Sequence, residues 1–374
     1  MPEVYLVGPR SRDSCLDRIG TLLAPFAGLV PQNRKVLTFI KTNYSQLGNT
    51  RHLRPIWVRA VVEAIRHLGG TPAVTDTSGY SPGGRIIGAE WFEAAEIMGY
   101  SEPALGCERI LANGYEGDDG EFVSTGGAEL GGVEIARAIR EAACLVVVSH
   151  VTAHPLAGLS GALVNLGVEC LNNSGKSRVY AALRPRWQED GCDRCGVCAE
   201  QCPAGALSWN GRLTAGPGAC LGCGNCVAVC SARARRFALE QTAAFQGRVA
   251  EAAAALVKTL GKKMVFVNLL TDIVPQPDRL GWADVPFVPD LGFAASLDPV
   301  ALDAFTVELV RRAPGLPNSA AEDAGVCACG AEKFGAVTGA DPRYLLERAE
   351  AVGVGSRKYE VLVAEGVGRV HGNV

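Results

Sequence analysis

Eight of the 14 cysteines fall between Cys192 and Cys230, in two runs of the pattern C-x2-C-x2-C-x3-C. The first run is Cys192, Cys195, Cys198 and Cys202; the second is Cys220, Cys223, Cys226 and Cys230, each 28 residues after its counterpart. Gly196 is matched by Gly224, so the block is an internal duplication. This pattern constrains the fold more than any other feature. Three thiols at this spacing come from one tight loop, and a cubane iron-sulfur cluster needs those three and a fourth from elsewhere. A pair of zinc sites is the alternative. Zinc sites use four ligands each and usually draw them from CxxC pairs separated by longer gaps, so two CxxCxxCxxxC runs point to clusters more specifically than to zinc.

The redox compartment bears on the same choice. No positively charged start leads into an apolar run, and no stretch reaches the roughly 18 apolar residues of a membrane span. A cytoplasmic protein with no membrane partner is expected. Thiols there are kept reduced, which favours metal ligation over a disulfide framework. With 374 residues, 48% hydrophobic and 20% charged, the chain has the make-up of a soluble globular protein and excludes a disordered one. The formal net charge is -3 with signs mixed along the chain, so no basic field points to nucleic acid.

The duplicated block resembles the module of bacterial ferredoxins that carry two clusters, in which the fourth cysteine of each run ligates the other cluster. The resemblance implies two 4Fe-4S clusters. Cys192, Cys195, Cys198 and Cys230 would hold one, and Cys220, Cys223, Cys226 and Cys202 the other. Ser231 stands where the first half has Pro203 and where the ferredoxin pattern usually has proline.

On both sides of this block the chain reads as α/β. KVLTFI (Lys35–Ile40) is a short apolar strand, Arg54–Leu68 is a helix ended by Gly69 and Gly70, and Ala73–Thr75 is a strand leading to the turn SPGGR. A helix over Val133–Ala143 is expected to precede the continuous apolar strand Cys144–Ser149, a run typical of a strand covered on both faces. A helix over Gln241–Leu260, a strand over Met264–Leu270, helices starting at Asp298 and Asp341, and a strand over Tyr359–Ala364 follow. The expected architecture is a mostly parallel sheet flanked by helices, formed by residues 1–185 and 241–374, with a small α+β ferredoxin-like domain inserted at 186–240.

HPLAGLSGALVNLG (His154–Gly167), KTN (Lys41–Asn43), the helix VRAVVEAIRHLGG with the TDTSG after it, and VPDLGFAASLDPVALDAF (Val288–Phe305) together resemble the family of iron-sulfur-centre proteins called domain of unknown function 362. Members often carry a two-cluster insert at this place. Many have lysine where Val164 stands and proline where Thr42 stands, and IVPQPD (Ile273–Asp278) lacks a cysteine pair often seen there.

Candidate site residues follow from strand ends, where open α/β sheets bind ligands. Lys41 and Asn43 follow one strand, Asp76, Thr77 and Ser78 another, and His150 and His154 a third. A neutral histidine here is a candidate proton shuttle, while Asp76 and Ser78 read equally well as caps of the following turn. Asp298 reads as an N-cap. The glycine-rich STGGAELGG (Ser124–Gly132) reads as a turn, since it matches no phosphate-binding pattern. Cys327 and Cys329 form a lone CxC, Cys144 reads as core, and the basic tract Ala232–Arg236 as a solvated face. The function expected is an iron-sulfur oxidoreductase, taking electrons from a redox partner protein or low-potential donor and passing them singly to a small-molecule substrate or cofactor in the α/β domain. A non-enzymatic carrier, or a binding protein with structural or sensing clusters, is the alternative.

Overall fold

A computed structural model describes residues 1–10, 12–80, 85–215 and 220–364. Most of the SPGGR turn lies outside the described residues. The centre is an eight-stranded sheet of β1 (Glu3–Val7), β2 (Leu37–Lys41), β3 (Thr71–Asp76), β4 (Arg109–Leu111), β5 (Cys144–His150), β6 (Met264–Leu270), β7 (Gly292–Ser296) and β8 (Glu360–Val363). Its spatial order is β8-β1-β7-β6-β5-β2-β3-β4. All neighbours run parallel except β7, which is antiparallel to both β1 and β6. This is the mostly parallel α/β sheet that the sequence predicts.

Double coverage explains the unbroken apolar runs. In β5, Leu145 and Val147 enter one core while Val146 and Val148 enter the other; in β6, Phe266 and Val267 divide in the same way. Burying each such side chain contributes about 1.5–3 kcal/mol. One face is covered by α1 (Cys15–Leu23) and α2 (Pro55–His67), and the other by α3 (Ala162–Gly167), α4 (Leu239–Leu260), α5 (Pro299–Arg312) and α6 (Pro342–Ala351). Pro55 opens α2 and Pro299 opens α5 at positions where no amide hydrogen is needed. Asp298 caps α5, accepting from the N–H of Val300 and of Ala301 at 2.9 Å each, and also accepts from Ser356 N–H at 2.8 Å.

The expected helix over Val133–Ala143 is wrong. Gly132–Ala136 is a strand, paired antiparallel with Gly120–Ser124, and only Arg137–Arg140 is helical. Val133 and Ile135 are buried on either side of a less buried Glu134, a two-residue alternation that suits a pleated strand. Ser124–Gly132 is the connection of this hairpin. Its Glu129 and Leu130 N–H groups donate to the Glu251 carboxylate at 3.0 and 2.9 Å, so a side chain of α4 occupies the place a phosphate would take.

Residues 186–240 lie within the crossover from β5 to β6. Arg186–Trp187 pairs antiparallel with Arg235–Arg236, and Leu207–Trp209 pairs with Leu213–Ala215. Two four-residue helices, Val197–Glu200 and Asn225–Ala228, are themselves 28 residues apart. Each begins after a left-handed glycine, and a Cβ on Gly196 or Gly224 would stand 3.0 Å from Trp209 or Phe237 respectively. Those two rings are also 28 residues apart, so the duplication extends to the packing.

A buried carboxylate fixes the helix beside the future site. Asp303 on α5 accepts from Ala162 N–H at 2.9 Å, Leu163 N–H at 2.8 Å and Asn268 Nδ2 at 2.8 Å, thereby holding the first turn of α3. Burial outweighs these donors and pushes its pKa up to about 6. A raised carboxylate favours the folded state below the ordinary pKa near 4, and that contribution is lost as pH rises through about 6. Wild-type stability should therefore fall relative to Asp303→Asn between about pH 4 and pH 6, by up to about 3 kcal/mol, in urea titrations at stepped pH. Parallel curves for the two proteins would show that Asp303 titrates normally.

Candidate functional site

The chain moves from β2 outward to β3 and β4, then returns to place β5 on the other side of β2. The reversal lies between β2 and β5, and their carboxyl ends open a crevice there, as the rule for open α/β sheets requires. Lys41, Asp76 and His150 are the last residues of β2, β3 and β5.

Lys41 is wholly buried. Its Nζ donates to Asp76 Oδ1 at 2.9 Å, to Asn165 Oδ1 at 3.1 Å and to the Thr42 carbonyl at 2.7 Å, which uses all three hydrogens. Burial opposes its charge most strongly of any single influence, but Asp76, Cys170 and Glu169 together outweigh it and hold the Lys41 pKa above the usual lysine value. Asp76 also accepts from Thr77 N–H at 2.8 Å and Tyr44 N–H at 3.3 Å, and lies 3.8 Å from Arg85. Asn165 on α3 turns its amide to the Val148 carbonyl at 3.0 Å and Ser149 Oγ at 3.1 Å. One lysine thus ties β2, β3 and β5 together through hydrogen-bonded partners. Nearby, Lys176 donates to Thr77 Oγ1 and the Ser78 carbonyl at 2.7 Å each and lies 3.5 Å from Glu169. Burial raises the Glu169 pKa, but the charges of Lys176, Lys41, Arg85 and Arg279 together lower it more, so the net shift is downward.

Above this network is a cleft with a cavity of about 30 Å³, lined by residues that include Asn43, His150, His154, Glu169, Asp278 and Arg279. Of the residues predicted from sequence, Asn43, His150 and His154 meet here, whereas Lys41 and Asp76 form the floor beneath. Asn43 Oδ1 accepts from Ser45 N–H at 2.9 Å and from Arg85 Nη1 at 3.3 Å. His150 pairs through Nδ1 with Asp278 Oδ1 at 2.9 Å and through Nε2 with the Thr271 carbonyl at 2.8 Å. Burial lowers its pKa, but Asp278, the Thr271 carbonyl and Asp272 together raise it more, so the net direction is up.

His154 ends a short strand, Thr152–His154, that pairs with Gly158–Ser160, so it is not in an irregular loop. Its Nδ1 accepts from Leu156 N–H at 3.2 Å and Ala157 N–H at 3.1 Å. Two donors on one nitrogen fix the tautomer: Nδ1 is unprotonated and Nε2 carries the hydrogen. Burial and the charge of Arg279 push its pKa well below the ordinary histidine value. The ring also stacks on Phe245, with centroids 5.6 Å apart. This geometry makes His154 a neutral hydrogen-bond donor. A proton shuttle using both nitrogens would have to break the two main-chain bonds.

Arg279 was not visible as a site residue in sequence, because it lies in an irregular segment without a motif. Its Nη1 donates to Asn225 Oδ1 and its Nη2 to the Cys223 carbonyl, joining the cleft to the second cysteine loop. Asp278 and Glu169 also lie outside helices and strands, while Lys176 lies on the helix Asn173–Tyr180, in no motif that marks it. Val164, Pro277 and Asp278, from segments that depart from the family pattern, also line the cleft.

Cys202, Cys220, Cys223 and Cys226 line one cavity of about 130 Å³. Cys230, Cys195 and Cys192 are the thiol neighbours of Cys198. Amide hydrogens point at the sulfurs: Ala206 N–H to Cys202 Sγ at 3.2 Å, Arg194 N–H to Cys192 Sγ at 3.4 Å and Arg235 N–H to Cys230 Sγ at 3.4 Å. The N–H of Val197 and of Asn225 serve Cys195 and Cys223 in equivalent positions. Among the described residues, no three His, Cys, Asp or Glu side chains stand in an arrangement that holds a single metal ion, and none of the 14 cysteines is in a disulfide. The CxC pair is part of a loop held by Lys333, whose Nζ donates to the carbonyls of Arg311, Ala328 and Ala331 at 3.1–3.2 Å.

The Lys41 pair can be tested by stability. Lys41→Met leaves the buried Asp76 with only the more distant Arg85 at 3.8 Å and should cost about 3–5 kcal/mol in urea unfolding. The double variant Lys41→Met/Asp76→Leu should recover part of that loss, since the poorly paired charge is gone; equal losses in single and double variants would contradict the pairing.

Among the described residues, no helix is long and apolar enough to cross a membrane. No curated protein matches the chain. Among solved structures it is similar to the lactate racemase apoprotein from Thermoanaerobacterium thermosaccharolyticum, at 12% identity and a TM-score of 0.42, over 85% of this chain and 59% of that one. It is also similar to a protein from Thermotoga maritima, at 10% identity and a TM-score of 0.38, over 76% of this chain and 56% of that one. The chain therefore spans less than two thirds of the length of either. A family model matches residues 38–308, which include strands β2 to β7, the cleft and the cysteine block, and the chain belongs to that family, described as Domain of unknown function (DUF362).

Proposed function

We propose that the chain is an iron-sulfur protein that relays single electrons through two 4Fe-4S clusters to a small molecule in the cleft between β2 and β5. The observation that carries this reading is the cavity shared by Cys202 from one half and Cys220, Cys223 and Cys226 from the other. A cubane is larger than a single ion and needs four thiolates spread around such a volume, with amide hydrogens directed at the sulfurs. The elements of residues 186–240, with first and last strands paired and the middle two paired, support a ferredoxin-type module. When bound, the clusters supply one-electron transfer.

The residues of the chain give the relay a direction. Cys195 is exposed and Cys192 half-buried, which suits the end that meets a partner protein. The loop holding Cys220 and Cys223 instead packs on the α/β domain: a Cβ on Gly222 would stand 2.7 Å from the Tyr180 carbonyl. Arg279 joins this loop to the cleft. Arg235, 7% exposed, places its Nη2 3.7 Å from Cys226 Sγ and supplies positive charge between the two thiol groups.

Anaerobic purification should give a brown protein with about eight irons per chain, and dithionite should produce two interacting paramagnetic signals. Zinc with a featureless visible spectrum would defeat the reading, and clusters that resist reduction would leave them a structural role. Arg235→Gln should lower the midpoint potential, because the reduced form loses a nearby cation. An unchanged potential would remove Arg235 from the tuning. Reduced protein that passes electrons only to other proteins, and to no small molecule, would be a carrier.

A further inference from the structure

Charge bookkeeping around the cleft leaves a surplus. Lys41 and Arg85 share Asp76, Lys176 faces Glu169, and His150 faces Asp278. Arg279 donates to two neutral oxygens, Asn225 Oδ1 and the Cys223 carbonyl, and has no ion pair among the described residues. Its Nε is buried with no hydrogen-bond partner. On the next residue, which lines the same small cavity, Asp278 Oδ2 is a buried acceptor with no partner, and Asp278 as a whole is 6% exposed. Orphaned buried polar atoms each cost about 1–3 kcal/mol, and two of them on adjacent residues lining one cavity favour a ligand that satisfies both. His154 adds a third fixed group, a neutral Nε2–H beside Arg279.

We propose that the cleft binds a small oxyanion that also carries a hydrogen-bond donor, with the oxyanion on Arg279 and His154 and the donor on Asp278. The class is set by the groups present. A guanidinium and a neutral N–H recognise carboxylate or phosphate oxygens, and an unpaired carboxylate oxygen recognises O–H or N–H. The cavity of about 30 Å³ admits only a compact head group. This assignment rests on the relay reading for its purpose, since it names what would receive the electrons, and its test is separate.

The test is calorimetric titration of the anaerobically purified protein, with iron content measured, at constant ionic strength. The probes are acetate, glycolate and inorganic phosphate, with chloride as control. Saturable binding of glycolate, tighter than acetate, supports a carboxylate with a neighbouring hydroxyl; binding of phosphate alone supports the site and identifies phosphate as the oxyanion. Arg279→Gln should weaken binding at least ten-fold, and Arg279→Lys, which keeps the charge, should restore part of it with the visible spectrum and circular dichroism unchanged. Absence of saturable binding by all three probes, or equal affinity in Arg279→Gln, would overturn the site. Retained binding in a protein that holds no clusters would sink the relay and leave the site standing; full, reducible clusters with no binding would do the reverse.

Discussion

The buried pair of Lys41 and Asp76 is the interaction on which the site depends. A lysine with no access to water is tolerated only when each of its hydrogens has an acceptor, and here the acceptors come from β3, from the backbone after β2 and from α3. Satisfying one ammonium therefore fixes three elements. Asn165 then extends the constraint to β5, and Asp303 holds the first turn of its helix from the opposite side. The carboxyl edge of the sheet is consequently rigid where ligands approach, and the groups that face the cleft stand on a prearranged floor.

The duplicated segment shows how two copies of one pattern adapt to unequal surroundings. The left-handed turn at Gly222 is made in the first half by Arg194, and the one at Gly205 is made in the second half by Arg233. A non-glycine residue in this conformation costs roughly 1–2 kcal/mol. That cost is borne at Arg194, where the loop faces solvent and a side chain has room. At Gly222 no side chain fits, because the loop lies against Tyr180 and Leu183. The asymmetry in glycine use records which copy is docked on the larger domain.

Much of this was legible in the residues, and the parts that were not have physical reasons. Runs such as CLVVVSH and MVFVNLL announce doubly covered strands because both faces must be apolar. Pro299 after Asp298, and Pro342 after Asp341, mark helix starts because capping chemistry is local. The segment from Val133 to Ala143 failed because its apolar positions satisfy both the strand and the helix period, and only the pairing with Gly120–Ser124 decides between them. Lys41, Asn43, Asp76, His150 and His154 were found because strand ends are predictable. Their division into floor and cleft depends on side-chain burial, which no spacing encodes. Arg279 and Asp278 come from irregular backbone, where position is set by tertiary contacts alone.

The pairing of Arg186–Trp187 with Arg235–Arg236 has a consequence for how such a chain can be assembled. The backbone leaves the α/β domain and returns to it on adjacent antiparallel strands, so the two connections stand only about 5 Å apart. A segment mounted on so narrow a stem can be gained or lost by the host sheet without moving β5 or β6, since the ends to be rejoined are already neighbours. The cysteine block is in this sense a cartridge, and the crossover that carries it is a socket.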